Sequence, residues 1–200
     1  MHKPSPLIDP VVERLFEQHL ETCRRTRSAL AGPVARAASQ LATTLTAGRK
    51  ILICGNGGSA ADAQHFSAEL LNRFESERRP LPAIALTTDT STLTSIANDY
   101  AYQEVFAKPV RALGQPGDAL IALSTSGRSA NVNAAVRVAQ EMGLGIVALT
   151  GRDGGALAAL LRPEDTELRV PDPSTARIQE MHILILHVIC AVIDHHFAAR

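Results

Sequence analysis

The chain has no tryptophan, and aromatic residues fill only 4% of its 200 positions. Platforms that stack nucleic-acid bases depend on such rings, so their scarcity argues against that class. Charge of one sign is missing too: 20 Lys and Arg balance 20 Asp and Glu, for a formal net charge of zero. No basic excess points to nucleic acid, and no acidic tail points to a charged partner. Cysteine is sparse, and Cys23, Cys54 and Cys190 lie far apart. They match neither a zinc-ribbon spacing nor a secreted disulfide framework, which indicates a reducing, cytoplasmic setting. The opening MHKPSPLIDP lacks the apolar centre of a signal peptide. No stretch is expected to approach transmembrane length, so no membrane partner is expected. What remains is chain enough for one domain with a sizeable core, 46% hydrophobic and without low-complexity segments or fixed repeats.

Residues 1–7 read as a loose tail. From about 9 to 45 the pattern is helical, with Val12, Leu15, Phe16, His19, Leu20 and Cys23 recurring at three- and four-residue spacing. Gly32 and Pro33 predict a break, with a second helix over 34–45. Helices that precede every strand either pack on a partner subunit or cover one face of the sheet. After Gly48 short apolar runs predict strands at 50–54, 83–87, 119–123, 145–149 and 167–170, continuous enough to be buried on both faces. Helical stretches fall near 59–74, 102–113, 129–142 and 154–161, and a long final helix near 174–197. This alternation predicts an α/β fold with a parallel sheet and right-handed crossovers. Residues 1–47 form its helical preface and 48–200 its sheet-bearing unit. Ligands of such sheets collect where strand carboxyl ends open into loops.

Two of those loops stand out. The strand KILIC runs into Gly55, Asn56, Gly57, Gly58 and Ser59. Glycines there admit a ligand close to the backbone, and the helix amino terminus offers N–H groups to an anion. The spacing also fits a dinucleotide fingerprint, but no acid stands at the end of the next strand, so a nicotinamide site is discounted. Ser59 and Asp62 suit a helix start, and His65 and Glu69, four apart, share one helix face. The second loop follows DALIAL: Ser124, Thr125, Ser126 and Ser129 place four hydroxyls within six positions. Many neutral donors beside a helix start suit a terminal phosphate monoester. A Walker lysine is missing, which argues against triphosphate hydrolysis. Gly151, Asp153, Gly154 and Gly155 read as a structural turn. In RIQEMHILILHVIC, Gln179 and His187 lie about 80° apart around the helix and His182 and His187 about 140°. Gln179 and His187 can therefore look into one site, although a lone His on an apolar helix is more often a core residue, and His182 keeps that core reading.

CGNGGSAADAQHF, SIANDY, STSGRSANV, ALTGRDGG and RIQEMH, in this order, resemble the sugar isomerase (SIS) domain and, more narrowly, the phosphoheptose isomerase family. The resemblance runs from about residue 26 to 197. It implies a three-layer, flavodoxin-like sandwich with a five-stranded parallel sheet and N-terminal helices. It implies conversion of sedoheptulose 7-phosphate to D-glycero-D-manno-heptose 7-phosphate, the first step toward the heptose of bacterial lipopolysaccharide. A homotetramer is implied, with the first and last helices in subunit contacts.

Moving a proton between C1 and C2 through an enediol needs a base near carbon and an acid near oxygen, with the sugar clamped by its remote phosphate. By resemblance Glu69 is the base and His187 the acid, and the sequence is equally consistent with the exchanged roles. Asn56, Asn98 and Asp99 would meet sugar hydroxyls, with Gly57, Gly58 and Gln179 also against the substrate. Ser124, Thr125, Ser126 and Ser129, helped by Ser59, would hold the phosphate. The family is zinc-binding, which implies His65, Glu69, Gln179 and His187 as ligands; the same four side chains also suit a metal-free acid–base cluster. A SIS-domain relative, the replication factor DiaA, resembles NRFESERRPLPAIAL and RIQEMH and works by contacting the initiator DnaA. It departs from the isomerase at the positions of Glu69 and His187, both present here. A phosphosugar-sensing regulator is the third option, because fold alone does not fix function.

Overall fold

A computed structural model describes residues 9–198. The tail expected over 1–7 lies outside the described residues. A single helix, α1 (Pro10–Thr46), runs straight through the break expected at Gly32 and Pro33. The Asp9 carboxylate accepts the Val11 amide at 2.8 Å, and Pro10 occupies the first helical position, where a missing N–H costs nothing. Pro33 lacks the N–H that would reach the Ala29 carbonyl. The helix persists because Leu30, Val34, Ala37, Ala38, Leu41 and Leu45, on both sides of it, are buried in the core. Tertiary packing thus holds both halves on one axis despite the lost hydrogen bond.

The strands are β1 (Ile51–Cys54), β2 (Ala83–Ala85), β3 (Ala119–Leu123), β4 (Gly145–Gly151) and β5 (Thr166–Val170). They form one five-stranded sheet in the order β2-β1-β3-β4-β5, every pair parallel. This is the flavodoxin-like order the sequence led us to expect. Strands β1 and β3 are buried at every position. Their alternate side chains feed two cores: Ile51 and Ile53 pack with one set of helices, Leu52 and Cys54 with the other. On the first face lie α1, α2 (Gly58–Leu71) and α7 (Thr175–Ala198); on the second lie α3 (Thr90–Asp99), α4 (Ala107–Leu113), α5 (Ala130–Glu141) and α6 (Gly155–Ala158). Because α2 leaves β1 toward one face and α5 leaves β3 toward the other, the topological switch point falls between these adjacent strands.

Two further differences from expectation concern helices. Helix α3 was not anticipated, because it buries only Ile96 and so shows no apolar stripe; its start is held by Asp89, whose carboxylate accepts the Thr92 amide and hydroxyl. The single helix expected over 102–113 is a 3₁₀ turn at Tyr102–Glu104 followed by α4. A third correction concerns length: α7 has 24 residues and mean hydropathy 1.6 in its most apolar window, so one helix does reach transmembrane length by composition. Its apolarity has a local cause. Ile178, Met181, Ile185, Leu186, Ile189, Cys190 and Ile193 lie in the core beside α1 and the sheet.

Candidate active site

The glycine loop after β1 delivers α2 with its first turn at the switch point. Gly57 has φ +56° and serves as N-cap without a side-chain bond. This corrects the expectation that Ser59 and Asp62 anchor the helix start. Ser59 is buried, and Asp62 instead reaches across to α7, where Gln179 Nε2 donates to its Oδ2 at 3.5 Å. Burial pushes the Asp62 carboxyl up, against the lowering effects of Gln179, His65 and His187. A Cβ on Gly58 would stand 2.2 Å from Gln179 Nε2, so any larger residue there displaces the end of that side chain.

About two and three turns into α2, His65 and Glu69 meet α7. His65 Nε2 lies 2.8 Å from His187 Nε2 and 3.4 Å from Glu69 Oε1. Glu69 and His187, 118 positions apart in sequence, therefore both adjoin one imidazole within a single protomer. Phe74 stacks on the His187 ring with centroids 5.5 Å apart and fixes its plane. His182 faces elsewhere, as expected. It is buried, its Nε2 donates to the Thr150 carbonyl at 2.9 Å, and burial lowers its pKa to about 4, so the ring is neutral.

A charged knot, not foreseen from sequence, holds α2 and α7 together. Asp194 on α7 accepts the Glu75 and Ser76 amides and the Arg78 Nε–H, while Arg78 also donates to the carbonyls of Glu69 and Leu70. Both side chains are almost fully buried. The knot bonds to the backbone of Glu69 itself.

The serine loop after β3 lies on the other side of the crevice. Ser124 and Ser129 hydroxyls are 3.0 Å apart, with Ser129 as the N-cap of α5 and making no side-chain cap bond. Thr125 and Ser126 are half-buried beside them. Gly127 has φ +62°, and a Cβ on it would come 1.8 Å from the Gly154 carbonyl oxygen, so the turn after β4 buttresses the loop. Arg128 and Asp153 reinforce that contact from outside, as an exposed pair at 2.6 Å.

Asn56 faces the serine loop through a reciprocal amide pair with Asn131, at 2.8 and 2.9 Å, and its Oδ1 also accepts the Tyr102 hydroxyl at 3.0 Å. Neither Asn131 nor Tyr102 was foreseen; the final N of STSGRSAN was the only sequence signal. Asn98 and Asp99 hydrogen-bond each other at the exposed end of α3, and neither makes a side-chain hydrogen bond to another expected site residue.

Among the described residues, no three His, Cys, Asp or Glu side chains stand ready-spaced around a metal. The donor chemistry nevertheless suits a divalent ion. Two imidazoles bound tetrahedrally at about 2.1 Å from zinc sit about 3.4 Å apart, so the 2.8 Å His65–His187 contact needs only a small separation. Gln179 has its amide nitrogen turned to Asp62, and the carbonyl oxygen is then the atom left for a cation.

A family model for the SIS domain matches residues 15–151. A phosphoheptose isomerase of Alkalilimnicola ehrlichii is 60% identical over 188 residues, 94% of this chain and 95% of that protein. The chain belongs to the phosphoheptose isomerases of the SIS-domain family. Solved members of the family share its architecture. The structure of phosphoheptose isomerase GmhA from Neisseria gonorrhoeae superposes with a TM-score of 0.87 at 50% identity, covering 92% of this chain and 97% of that one. A phosphoheptose isomerase from Francisella tularensis gives 0.90 at 45%, covering 92% and 96%.

Proposed function

We propose that this protein is an aldose–ketose isomerase that converts sedoheptulose 7-phosphate into D-glycero-D-manno-heptose 7-phosphate, the first step toward the heptose of lipopolysaccharide. The meeting of Glu69 and His187 around His65 is the observation that carries the reading. Membership of the family supports the substrate.

In the reaction the terminal phosphate rests against the hydroxyls of Ser124, Thr125, Ser126 and Ser129 and the free amides that open α5. Ser59, Gly57 and Gly58 line the facing loop, and Asn56, Asn98 and Asp99 receive sugar hydroxyls. Binding energy spent on the phosphate orients the reactive end. Glu69 takes the proton from C1 while His187 gives one to the C2 oxygen, forming the enediol. The hydroxyl proton on the C1 oxygen then returns to His187 as Glu69 delivers its proton to C2. The C1 aldehyde and C2 hydroxyl of the aldose result, and both side chains regain their starting states. His65, Glu69, Gln179 and His187 would hold a zinc ion, which when bound supplies Lewis-acid polarisation of the substrate oxygens.

The assembly we infer is a homotetramer. Val12, Phe16 and Leu20 on α1 and Leu184, Val188 and Val192 on α7 are exposed apolar residues at four-residue spacing. Such stripes fit burial against further copies. Three free cysteines, two of them buried, fit a reducing cytoplasm.

The test is conversion of sedoheptulose 7-phosphate followed by NMR, with elemental analysis of protein purified without chelator. Aldoheptose formation is expected. Absence of turnover together with binding to a replication initiator would overturn the isomerase reading, and an active sample free of divalent metal would remove zinc from it.

A further inference from the structure

We propose that Asn131 is a positioning residue for this isomerase. Its amide pair with Asn56 spans the switch-point crevice and sets the distance between the phosphate cradle and the glycine loop. The inference rests on the isomerase reading and deepens it. Asn56 sits on the loop after β1, Asn131 in the first turn of α5 after β3, and beyond the last ladder partners, Cys54 and Ala122, the two backbones diverge to opposite faces of the sheet. Past that point the side-chain hydrogen bonds between these two loops are those of the amide pair, 2.8 Å one way and 2.9 Å the other. Asn131 is 3% exposed. Hydrogen bonds in such a setting are electrostatically stronger, and a partner left unmet is costly.

The pair also fixes which atom of Asn56 remains for substrate. Its Oδ1 accepts from Asn131 and from the Tyr102 hydroxyl, which uses both lone pairs. One Nδ2 proton goes to Asn131, leaving the other for a sugar oxygen. Asn131 Oδ1 also accepts the Val132 amide at 3.0 Å, which pins its own amide plane to the start of α5. A seven-carbon phosphosugar held at one end by Ser124 and Ser129, and along its length by this loop, thus meets two walls at fixed spacing. The cost of separating them falls on substrate alignment rather than on the chemical groups.

Substitution of Asn131 by aspartate separates this role from ordinary packing. An ionised carboxylate at this position presents only acceptors to Asn56 Oδ1 and breaks half the pair, whereas a protonated carboxyl offers one donor and one acceptor and restores it. Burial raises the pKa of such a carboxyl well above the usual ~4. We expect the KM of N131D for sedoheptulose 7-phosphate to exceed wild type roughly tenfold near pH ~8 and to approach it near pH ~5. The ratio to wild type at each pH cancels the titration of the substrate phosphate and every other pH effect common to the two proteins. N131A should show the raised ratio at every pH, and N56A/N131A should cost less than the sum of N56A and N131A, because each single variant already breaks the pair. A ratio for N131D that does not change with pH, or an N131A KM within about twofold of wild type, overturns the proposal. Should N131A fail to fold, the N131D ratio decides alone. If wild type does not turn over the heptose phosphate, the isomerase reading falls. The tie is then judged by the same pH ratio in calorimetric binding of inorganic phosphate, a flat ratio overturning it.

Discussion

Substituting Asp194 by Asn should destabilise the protein far more than its small change in shape suggests. Asp194 Oδ1 accepts Arg78 Nε at 2.8 Å and Oδ2 accepts two backbone amides at 2.9 Å each, with side-chain exposures of 1% for Arg78 and 3% for Asp194. Burial raises the Asp194 carboxyl, but the Ser76 and Glu75 amides and the Arg78 guanidinium outweigh it and hold its pKa below the usual value. The substitution leaves a guanidinium buried without its counter-charge and turns an N–H₂ toward groups that only donate. Removing one partner of a buried pair costs about 3–5 kcal/mol, a large part of the ~5–15 kcal/mol that holds a domain folded. For a chain of this size that corresponds to roughly 10 °C in Tm. Urea unfolding at one fixed protein concentration reads it. The double variant R78M/D194L, which removes both charges, should lose less than the sum of the single losses. A folded pKa below the unfolded one means the carboxylate stabilises above the usual Asp range and stops doing so as pH falls through the folded value. The acid limb of the stability profile should therefore flatten in D194N. A D194N midpoint within about 0.5 kcal/mol of wild type would refute the reasoning.

Three further outcomes follow, two from the site and one from the core. S129A, which removes the partner of the Ser124 hydroxyl, should raise KM roughly tenfold with little change in kcat; steady-state kinetics with sedoheptulose 7-phosphate checks it. G58A forces Gln179 out of its seat and should lower kcat about a hundredfold while circular dichroism stays unchanged. His182 has its pKa lowered to about 4 by burial. Its neutral form therefore contributes stability that is complete above the unfolded value of ~6.5 and is lost as pH falls toward the folded value, about 3 kcal/mol in all. Urea midpoints of H182Q should fall less steeply than wild type over that interval.

The sheet was legible because its strands are apolar runs buried on both faces, which leave the same mark wherever they occur. Ala119–Leu123 is such a run, and its bounds match the expected ones. The serine loop was legible for the opposite reason, a density of hydroxyls that no apolar strand end requires. Helical spacing alone put His65 with Glu69 and Gln179 with His187, but nothing local says that the two helices adjoin. That depends on Arg78 and Asp194, whose partners are mostly backbone carbonyls and amides and so have no sequence signature. Pro33 misled because its local penalty is visible in sequence and the packing that overrides it is not. Asp62 misled for the same reason: an acid near a helix start usually caps, yet here Gln179 lies across from it. Helix α3 escaped notice because hydroxyl-rich turns with one buried residue look like loops.

The account stands on one carboxylate and one imidazole sharing the reactive end of a single sugar. Sedoheptulose 7-phosphate incubated in D₂O with wild type, E69Q and H187A tests it, with binding of the sugar phosphate measured for all three proteins. The account predicts that the proton held on Glu69 exchanges in part with solvent before its return, so that deuterium appears at C2 of the aldose with wild type. It also predicts a fall in turnover of at least ~10²-fold in each variant, with binding retained. Turnover within about tenfold of wild type in either variant would contradict it.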